Sequence, residues 1–360
     1  MLTVARHTGA ALLLLGPAWL AVMVANHTAG VVDPLVQAMI APMVEVARSG
    51  PEWLAVTLAG RFGLLTMGPL LLVWAVPVAV LHALLVGVYR TSGVLERLTN
   101  AVQPLVRPFG LTGHDLVRVV MGFGCNVPAV VATRSCTQCS RPVTMAVIAF
   151  GAACSYQMGA TLAVFSAANR PWLVVPFLAA LGLSTLLFAR LVSTPHGRAH
   201  LPHAGERAHT RLRLPTPGPV WRDASGTILS FFQQAFPVFV VIAVAASISD
   251  WLGVFTHLAW AITPAMAVFN LRPEAAIAVV FASVRKDGIL LLAEPGIVAT
   301  LTAVQLLTAV YLAGVLVPCL VTAATIARER TWRFAGVLVT RQVVFACGCA
   351  AAIAWIGAAL

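Results

Sequence analysis

The chain has 360 residues, of which 60% are hydrophobic and 10% are charged, and its mean hydropathy is +0.92. Soluble domains carry about 25% charged residues, so these proportions exclude an ordinary soluble protein and indicate one that crosses a membrane several times. The formal net charge of +11 does not indicate nucleic-acid binding, because the arginines lie in short connections between apolar segments, as is typical of cytoplasmic loops.

Seven apolar runs are long enough to cross a hydrocarbon core, which takes roughly 20 helical residues. They predict full spans over about residues 8–26, 64–89, 142–168, 171–192, 226–249, 299–327 and 334–360. Five cysteines lie in or beside apolar segments, where a disulfide framework is not expected, and we interpret them as thiols: Cys125, Cys154, Cys319, Cys347 and Cys349.

Two further apolar segments, residues 114–133 and 272–293, contain glycine, proline or charge near their middles, which predicts interrupted helices. If both segments crossed the membrane fully, the arginine-rich stretch after residue 192 would lie outside, against the rule that positive loops are cytoplasmic. If each segment enters and leaves on one side, every basic cluster lies inside. We therefore predict two re-entrant hairpins.

An internal repeat relates two parts of the chain. Six residues recur at a constant offset of 160 positions: Ala101, Pro104, Phe109, Leu111, Val119 and Val120 match Ala261, Pro264, Phe269, Leu271, Val279 and Val280. The arginine pattern places the two hairpins on opposite faces of the membrane. Together these features predict an inverted repeat, a common transporter architecture in which substrate binds near the midplane between broken helices.

The predicted fold class is an all-α polytopic membrane protein with about seven full spans plus two broken or re-entrant hairpins in an inverted internal repeat. The predicted domains are a first transmembrane helix with an amphipathic segment, a first repeat, a polar cytoplasmic linker and a second repeat, over residues 1–63, 64–192, 193–225 and 226–360. The linker is rich in His, Arg and Pro. Its histidines are expected in a solvated loop, the alternative being capture of a divalent metal: His196, His200, His203 and His209.

The sequence Gly-Phe-Gly-Cys-Asn-Val-Pro-Ala, which begins at Gly122, carries the most chemical information. Two glycines and Pro128 interrupt an apolar run and are expected to leave backbone carbonyls unpaired inside the membrane. Freed carbonyls, the Asn126 amide and the Cys125 sulfur form a plausible set of ligands for a divalent cation. The alternative is a kinked helix that packs a small thiol.

The longer run from Gly122 to Arg134 resembles the signature of the ferrous iron transport protein B (FeoB) family, within its membrane gate domain. Cys154 stands 29 residues after Cys125, as does the family's second cysteine. The sequence Val-Pro-Cys-Leu-Val-Thr around Cys319 resembles a third family motif. The resemblance covers most of the chain between residues 92 and 333.

This resemblance implies that Cys125 and Cys154 line the path of Fe(II), with Cys319 nearby. Thiolates bind borderline metals well, and stripping the hydration shell from Fe(II) requires compensating ligands, to which Asn126 is added on chemical grounds. Buried thiols that serve only packing are the alternative.

The second hairpin carries the sequence Arg-Lys-Asp-Gly from Arg285, and it matches a family position where a basic residue precedes a glutamate. Charges inside a membrane usually pair with one another or face an aqueous cavity, so Lys286 and Asp287 are candidates for gating or coupling. An interfacial loop that extends its charges outward is the alternative. The other gating or coupling candidates are Gly122, Gly124, Pro128 and Gln157.

The chain departs from the family in several places. No Gly-x-x-x-x-Gly-Lys-Ser/Thr run occurs, so we expect the N-terminal GTPase to be missing, with no nucleotide site and no permanently bound cofactor in this chain. Ser155, Tyr156 and Gln157 replace the usual Gly-Ala-Arg, which removes a positive charge beside the expected path.

Cys136 and Cys139 form a Cys-x-x-Cys pair in a short turn after the first hairpin. Two thiols at this spacing can chelate Zn(II) or Fe(II), relay metal to the pore or cycle as a redox pair. No second pair completes a four-ligand zinc site. Two ordinary turn cysteines are the alternative.

The sequence as a whole predicts a non-enzymatic transporter of divalent metal, with Fe(II) as cargo, in the cytoplasmic membrane. Its expected partners are the bilayer, the ion and a separately encoded GTPase or small cytoplasmic protein; a homo-oligomer is compatible with the sequence, and nucleic acid is not expected. One alternative is a gate-domain transporter of another solute, such as a nucleoside. A membrane thiol oxidoreductase or assembly factor built around the Cys-x-x-Cys pair is the other.

Overall fold

A computed structural model describes residues 2–60, 62–70, 72–73, 76–199 and 212–359. Within these ranges the secondary structure is helical and contains no strand. The chain is a multi-pass α-helical membrane protein, as its composition predicts. Three of the linker histidines, His200, His203 and His209, lie outside the described residues.

Eighteen α-helices occur in the described ranges. The first nine are α1 (Leu2–Arg48), α2 (Glu52–Ala59), α3 (Leu64–Leu70), α4 (Val76–Thr91), α5 (Val94–Val106), α6 (Gly113–Gly122), α7 (Asn126–Ala132), α8 (Arg141–Gly151) and α9 (Ser155–Ala167). The remainder are α10 (Val174–Val192), α11 (Pro195–Ala199), α12 (Pro217–Trp251), α13 (Val254–Met266), α14 (Ala275–Val284), α15 (Pro295–Val298), α16 (Ala303–Val315), α17 (Leu320–Glu329) and α18 (Trp332–Ala359). Short 3-10 turns include Arg107–Phe109, Ala267–Phe269 and Lys286–Ala293.

The chain forms two compact units, each assembled from three separate segments. The first unit comprises Met1–Asp33, Leu71–Ser155 and Leu186–Pro237, and the second comprises Pro34–Leu70, Tyr156–Thr185 and Val238–Leu360. In the first, α5 and α6 pack through an apolar cluster that includes Leu98 and Val120. In the second, α13 and α14 pack around the rings of Phe255 and Phe281.

Five helical stretches are long and apolar enough to cross a membrane, among the residues that the structure describes. They are His27–Arg48, Arg141–Ala167, Pro171–Val192, Ala303–Glu329 and Trp332–Ala359. A sixth arises if Phe236–Trp251 and Val254–Phe269, which meet at 74°, count as one span. The last four stretches agree with predicted spans, while the predicted total of seven is not confirmed.

Two predicted helix boundaries differ from the structure. α1 runs unbroken for 47 residues, so the first helix does not end near residue 26. The part of α1 that is apolar enough to cross a membrane begins at His27. The described residues of the predicted span over 64–89 are all helical and belong to α3, residues 72–73 and α4. α12 begins at Pro217, inside the predicted linker, because proline is well accommodated in the first turn of a helix.

Both predicted helix interruptions are present. α6 ends at Gly122 and α7 begins at Asn126, while α14 ends at Val284 and a 3-10 turn follows from Lys286. Two interruptions were not predicted: the expected spans over 142–168 and 299–327 are broken at residues 152–154 and 316–319. The second of these follows from proline at position 318, since proline lacks the N–H group that a helix requires and disfavours helical geometry in the residue before it.

Backbone geometry recurs at the offset of 160 positions. Gly93 precedes α5 with φ of 74°, and Gly253 precedes α13 with φ of 70°. Each helix ends in a 3-10 turn followed by a left-handed residue, Gly110 with φ of 82° and Asn270 with φ of 52°. The same order of elements therefore follows the matched residues in both places. The inverted orientation remains a prediction.

Candidate functional site

The two helix breaks of the first unit are joined by hydrogen bonds. The backbone N–H and the hydroxyl of Ser155 both donate to the carbonyl oxygen of Gly124, at 3.3 and 3.0 Å. In a continuous helix this carbonyl would accept from the N–H of residue 128, but Pro128 has none. Proline in the first turn of α7 thus releases a carbonyl, and the first residue of α9 binds it.

Close packing holds these breaks together. A Cβ atom on Gly122 would lie 2.7 Å from the Cβ of Ala152 and 3.1 Å from Oδ1 of Asn126. Real Cβ atoms essentially never approach another heavy atom within 3.0 Å. The absence of a side chain at Gly122 therefore permits direct contact between the end of α6 and the break that precedes Cys154.

The side-chain oxygen of Asn126 is buried without a hydrogen-bond partner among the described residues. The residue is only 6% exposed. A buried polar atom left unpaired costs about 1–3 kcal/mol, which a bound cation or water would recover. Asn126 opens α7 directly after Cys125, so this oxygen lies at the break itself.

Each of the three cysteines proposed as metal ligands directly precedes a helix. Cys125 is the N-cap of α7, Cys154 comes immediately before α9, and Cys319 is the N-cap of α17. All three are partly exposed, and none forms a disulfide. Each of these sulfur atoms therefore belongs to a residue at which the helical backbone is interrupted.

The site residues fall into two groups within the two units. Cys125, Asn126 and Cys154 belong to the joined breaks of the first unit, while Cys319 lies in the second. Within the described part of the chain, no group of three or more His, Cys, Asp or Glu side chains is arranged to hold a metal ion. A cation at the first break would therefore need Asn126 or backbone oxygens in addition to sulfur.

The predicted gating residues of the second unit also connect two breaks. Lys286 is buried, and its ammonium donates to the carbonyl of Val317 at 2.5 Å and of Ala313 at 3.4 Å. It therefore links the break after α14 with the break after α16. The backbone of Asp287 belongs to the 3-10 turn, but its side chain lies outside the described part, so a pairing with Lys286 stays a prediction.

Arg285 contacts the start of α9. Its guanidinium donates to the hydroxyl of Tyr156 at 3.1 Å and lies 5.6 Å from the centre of the ring. Gln157, the next residue, is buried, and its amide nitrogen lies 2.7 Å from where a Cβ of Gly314 would be. A positive charge thus lies beside this segment, although the segment itself lacks the arginine typical of the family it resembles.

The two cysteines of the Cys-x-x-Cys pair, Cys136 and Cys139, lie in different environments. Cys139 is exposed, while burial and, second, the neighbouring carboxylate of Asp115 raise the pKa of the Cys136 thiol to about 12. Arg118 binds Asp115 at 3.0 Å and also donates to the carbonyl of Ala132, which ties α6 to the end of α7. Cys136 is therefore a protonated thiol at neutral pH, which disfavours metal binding or thiol exchange there.

Sequence reasoning missed several residues that shape these sites. Ser155 and Tyr156 were noticed only as departures from a family pattern, and Arg118 was not considered. The signal for Ser155 was its position, since serine is favoured where a helix begins. No local signal indicates that Arg285 contacts Tyr156, because 129 residues separate them.

Comparison with known proteins shows which families this chain is similar to. A family model described as "Gate: Nucleoside recognition" matches residues 72–168. The chain is 28% identical over 166 residues to "Fe(2+) transporter FeoB" of Staphylococcus aureus (strain COL), a match that covers 44% of this chain and 24% of that protein. It is 32% identical over 122 residues to the protein of the same name from Legionella pneumophila (strain Lens), covering 34% of this chain and 16% of the relative.

A third relative, "Fe(2+) transporter FeoB" of Synechocystis sp., is 39% identical over 59 residues, or 16% of this chain and 10% of its own. In these alignments the chain spans a quarter or less of the length of the curated relatives it matches. No solved structure matches. The matches support the resemblance that the cysteine motifs indicated.

Proposed function

Because the chain is similar to Fe(2+) transporter FeoB proteins and matches a gate-domain family model, we propose that it transports a divalent metal, with Fe(II) as its cargo, across the cytoplasmic membrane. The observation that carries this proposal is the unpaired, buried oxygen of Asn126 beside Cys125, at a break joined to the one that precedes Cys154. The relatives named as Fe(2+) transporters support the choice of cargo.

The donor atoms at this break suit Fe(II). Iron in this state is borderline in softness and accepts sulfur together with oxygen, so two thiolates and an amide oxygen compensate for the lost hydration shell. Irregular backbone inside a membrane is tolerated where protein or a polar cavity covers it, as at the carbonyl of Gly124. The cation would rest here and then move on, since transport requires binding that is reversible.

The transport cycle follows from the repeat. We propose that the two broken hairpins form an inverted repeat that works by alternating access, with no permanently bound cofactor and no reaction catalysed. Energy coupling would come from outside this chain, through a separately encoded GTPase or a small cytoplasmic partner.

Fe(II) uptake in cells that lack other iron importers tests the proposal. Cys125→Ser is expected to abolish uptake while the protein remains folded in the membrane. Cys347→Ser, which changes a partly exposed thiol of α18, is the matched control and should retain uptake. Unchanged uptake by the Cys125 variant would remove this residue from the path.

A second candidate is transport of a nucleoside through the same fold, and the description of the matching family model favours it. Metal binding separates the two candidates. A metal carrier should bind Fe(II), Mn(II) and Zn(II) in competition, whereas a nucleoside carrier should show no dependence on metal.

The thiol oxidoreductase has less support. It needs a reactive thiolate, and the raised pKa of Cys136 works against one. Full transport by a Cys139→Ala variant in reconstituted vesicles would remove this candidate.

A further inference from the structure

The end of α16 carries a cation that belongs to the protein itself. The Lys286 ammonium lies against the carbonyls of Val317 and Ala313, and the residue is only 6% exposed. Burying an ammonium is unfavourable unless its surroundings replace the lost water. The carbonyls therefore form an environment that favours positive charge.

The position of these carbonyls explains that preference. The last carbonyls of a helix lack partners within it and carry the negative end of the helix dipole. Ala313 lies in the last turn of α16, which ends at Val315, and Val317 lies just beyond that end, where Pro318 prevents the helix from continuing. Oxygen atoms are thus directed to one place, where a cation is stabilised.

Further donor atoms follow directly along the chain. Cys319 precedes α17, and its sulfur lies 3.0 Å from the hydroxyl of Thr322. Carbonyl oxygens, a hydroxyl and a sulfur together suit a borderline or soft divalent ion better than an ammonium, which uses only the oxygens.

A neutral donor would be enough to satisfy a carbonyl here. The same helix end shows this, because the amide nitrogen of Gln342 donates to the carbonyl of Val315 at 2.8 Å. The chain thus uses an uncharged side chain for one carbonyl and a buried charge for two others. Capping of a helix-end carbonyl by a neutral donor explains the contact of Gln342. It does not explain why a charged lysine is buried against the carbonyl of Val317.

We propose that Lys286 is a tethered cation, which occupies a second cation site at the break between α16 and α17 and excludes the cargo until the ammonium moves away. This inference rests on the proposed function, because the ion that displaces the ammonium would be the transported metal. The carbonyls of Val317 and Ala313 would then bind the metal in place of the lysine, and Cys319 would supply a further ligand.

Cadmium binding to the purified full-length chain tests this site, because Cd(II) accepts both sulfur and oxygen. Lys286→Met removes the charge, and it is expected to bind one more Cd(II) per chain than the wild type in calorimetric titration. Lys286→Arg keeps a cation at this position and should show no gain. Adding Cys319→Ser to the Lys286→Met variant should lower the affinity of the new site at least tenfold.

Lys286→Gln guards against loss of the fold, since its amide still donates to a carbonyl as Gln342 does. It should also gain cadmium binding. The proposal is overturned if neither neutral variant gains a site while folded, or if both fail to fold, since Lys286 would then be a structural cap. A gained site together with no Fe(II) uptake by the wild type would instead contradict the proposed cargo and leave the tethered cation standing.

Discussion

Cys125 and Arg285 adopt almost the same backbone conformation, with φ and ψ of −150° and 133° in one and −143° and 136° in the other. They lie 160 positions apart, at the offset of the repeat. Each is the extended residue that separates two helical segments. The same backbone interruption therefore places a thiol at one break and a guanidinium at the other, so the two breaks have the same local geometry and different chemistry.

Gly122→Ala tests whether stability and metal binding require close packing between the break before Asn126 and the break before Ser155. The new Cβ would meet Ala152 at 2.7 Å, and forcing an extra methyl group into a packed contact costs about 1–3 kcal/mol. We expect a lower unfolding temperature and weaker metal binding, measured by thermal unfolding in detergent and by titration.

Gly182→Ala is the matched control, because nothing lies within 4 Å of the new methyl group in α10. This change should be neutral or slightly stabilising, as alanine favours a helix over glycine by about 1 kcal/mol. Equal effects of the two substitutions would show that contact with Ala152 does not matter.

Ser155→Ala tests the bond between the breaks. The variant loses the hydroxyl donor to Gly124 and keeps the backbone donor, so the expected cost is about 0.5–1.5 kcal/mol. Thermal unfolding measures it. Ser249→Ala is the control, since that hydroxyl donates to a carbonyl of its own helix turn and is exposed. A loss at Ser155 no larger than at Ser249 would refute a role in joining the breaks.

The sequence predicts the fold class and the positions of the first breaks for clear physical reasons. Glycine and proline around Cys125 interrupt an apolar run, and this signal is local. The break before Cys154 carries no such signal, because its residues are small and apolar and only the close approach of Ala152 to Gly122 reveals how the break packs. Pro318 is a local signal for the break near Cys319. The long apolar run around it nevertheless led to the prediction of a continuous span.

The sequence shows that charged residues lie inside apolar segments, but it does not show which groups those residues contact. Charge inside an apolar segment marked Lys286 as functional, yet its carbonyl partners lie 27 and 31 residues away. Such contacts depend on the packing of α14 against α16, which no local pattern encodes. The sequence thus marked Lys286 as a candidate but did not indicate which carbonyls it contacts.

Tyr156→Phe tests the contact between Arg285 and the segment that follows Cys154. The variant loses the hydroxyl that accepts from Arg285 but keeps the ring, so the expected cost is about 1.5–3 kcal/mol for a hydrogen bond to a charged group. Tyr156→Leu also removes the ring and should cost roughly 0.5–2 kcal/mol more. Unfolding in detergent ranks the two variants, and identical stabilities would exclude any contribution from the ring.

Cys136 and Cys139 are expected to differ strongly in alkylation. Because the pKa of the Cys136 thiol is raised to about 12, roughly three units above an ordinary thiol, its thiolate fraction near pH 8 is about a thousandfold lower. Maleimide should label exposed Cys139 rapidly and Cys136 very slowly, with the variants Cys136→Ser and Cys139→Ser identifying each product by mass. Equal labelling rates would contradict the burial of Cys136 beside Asp115.

The same shift has a consequence for stability. The pKa of Cys136 is higher in the folded chain than in the unfolded chain. The contribution of its protonated thiol to the free energy of unfolding is therefore fully present below about pH 9 and is lost as the pH rises towards 12. The wild type should therefore lose stability over this range faster than Cys136→Ser, which has no thiol to ionise. Parallel pH profiles for the two chains would show that this thiol ionises alike in both states, and its burial beside Asp115 would have no energetic role.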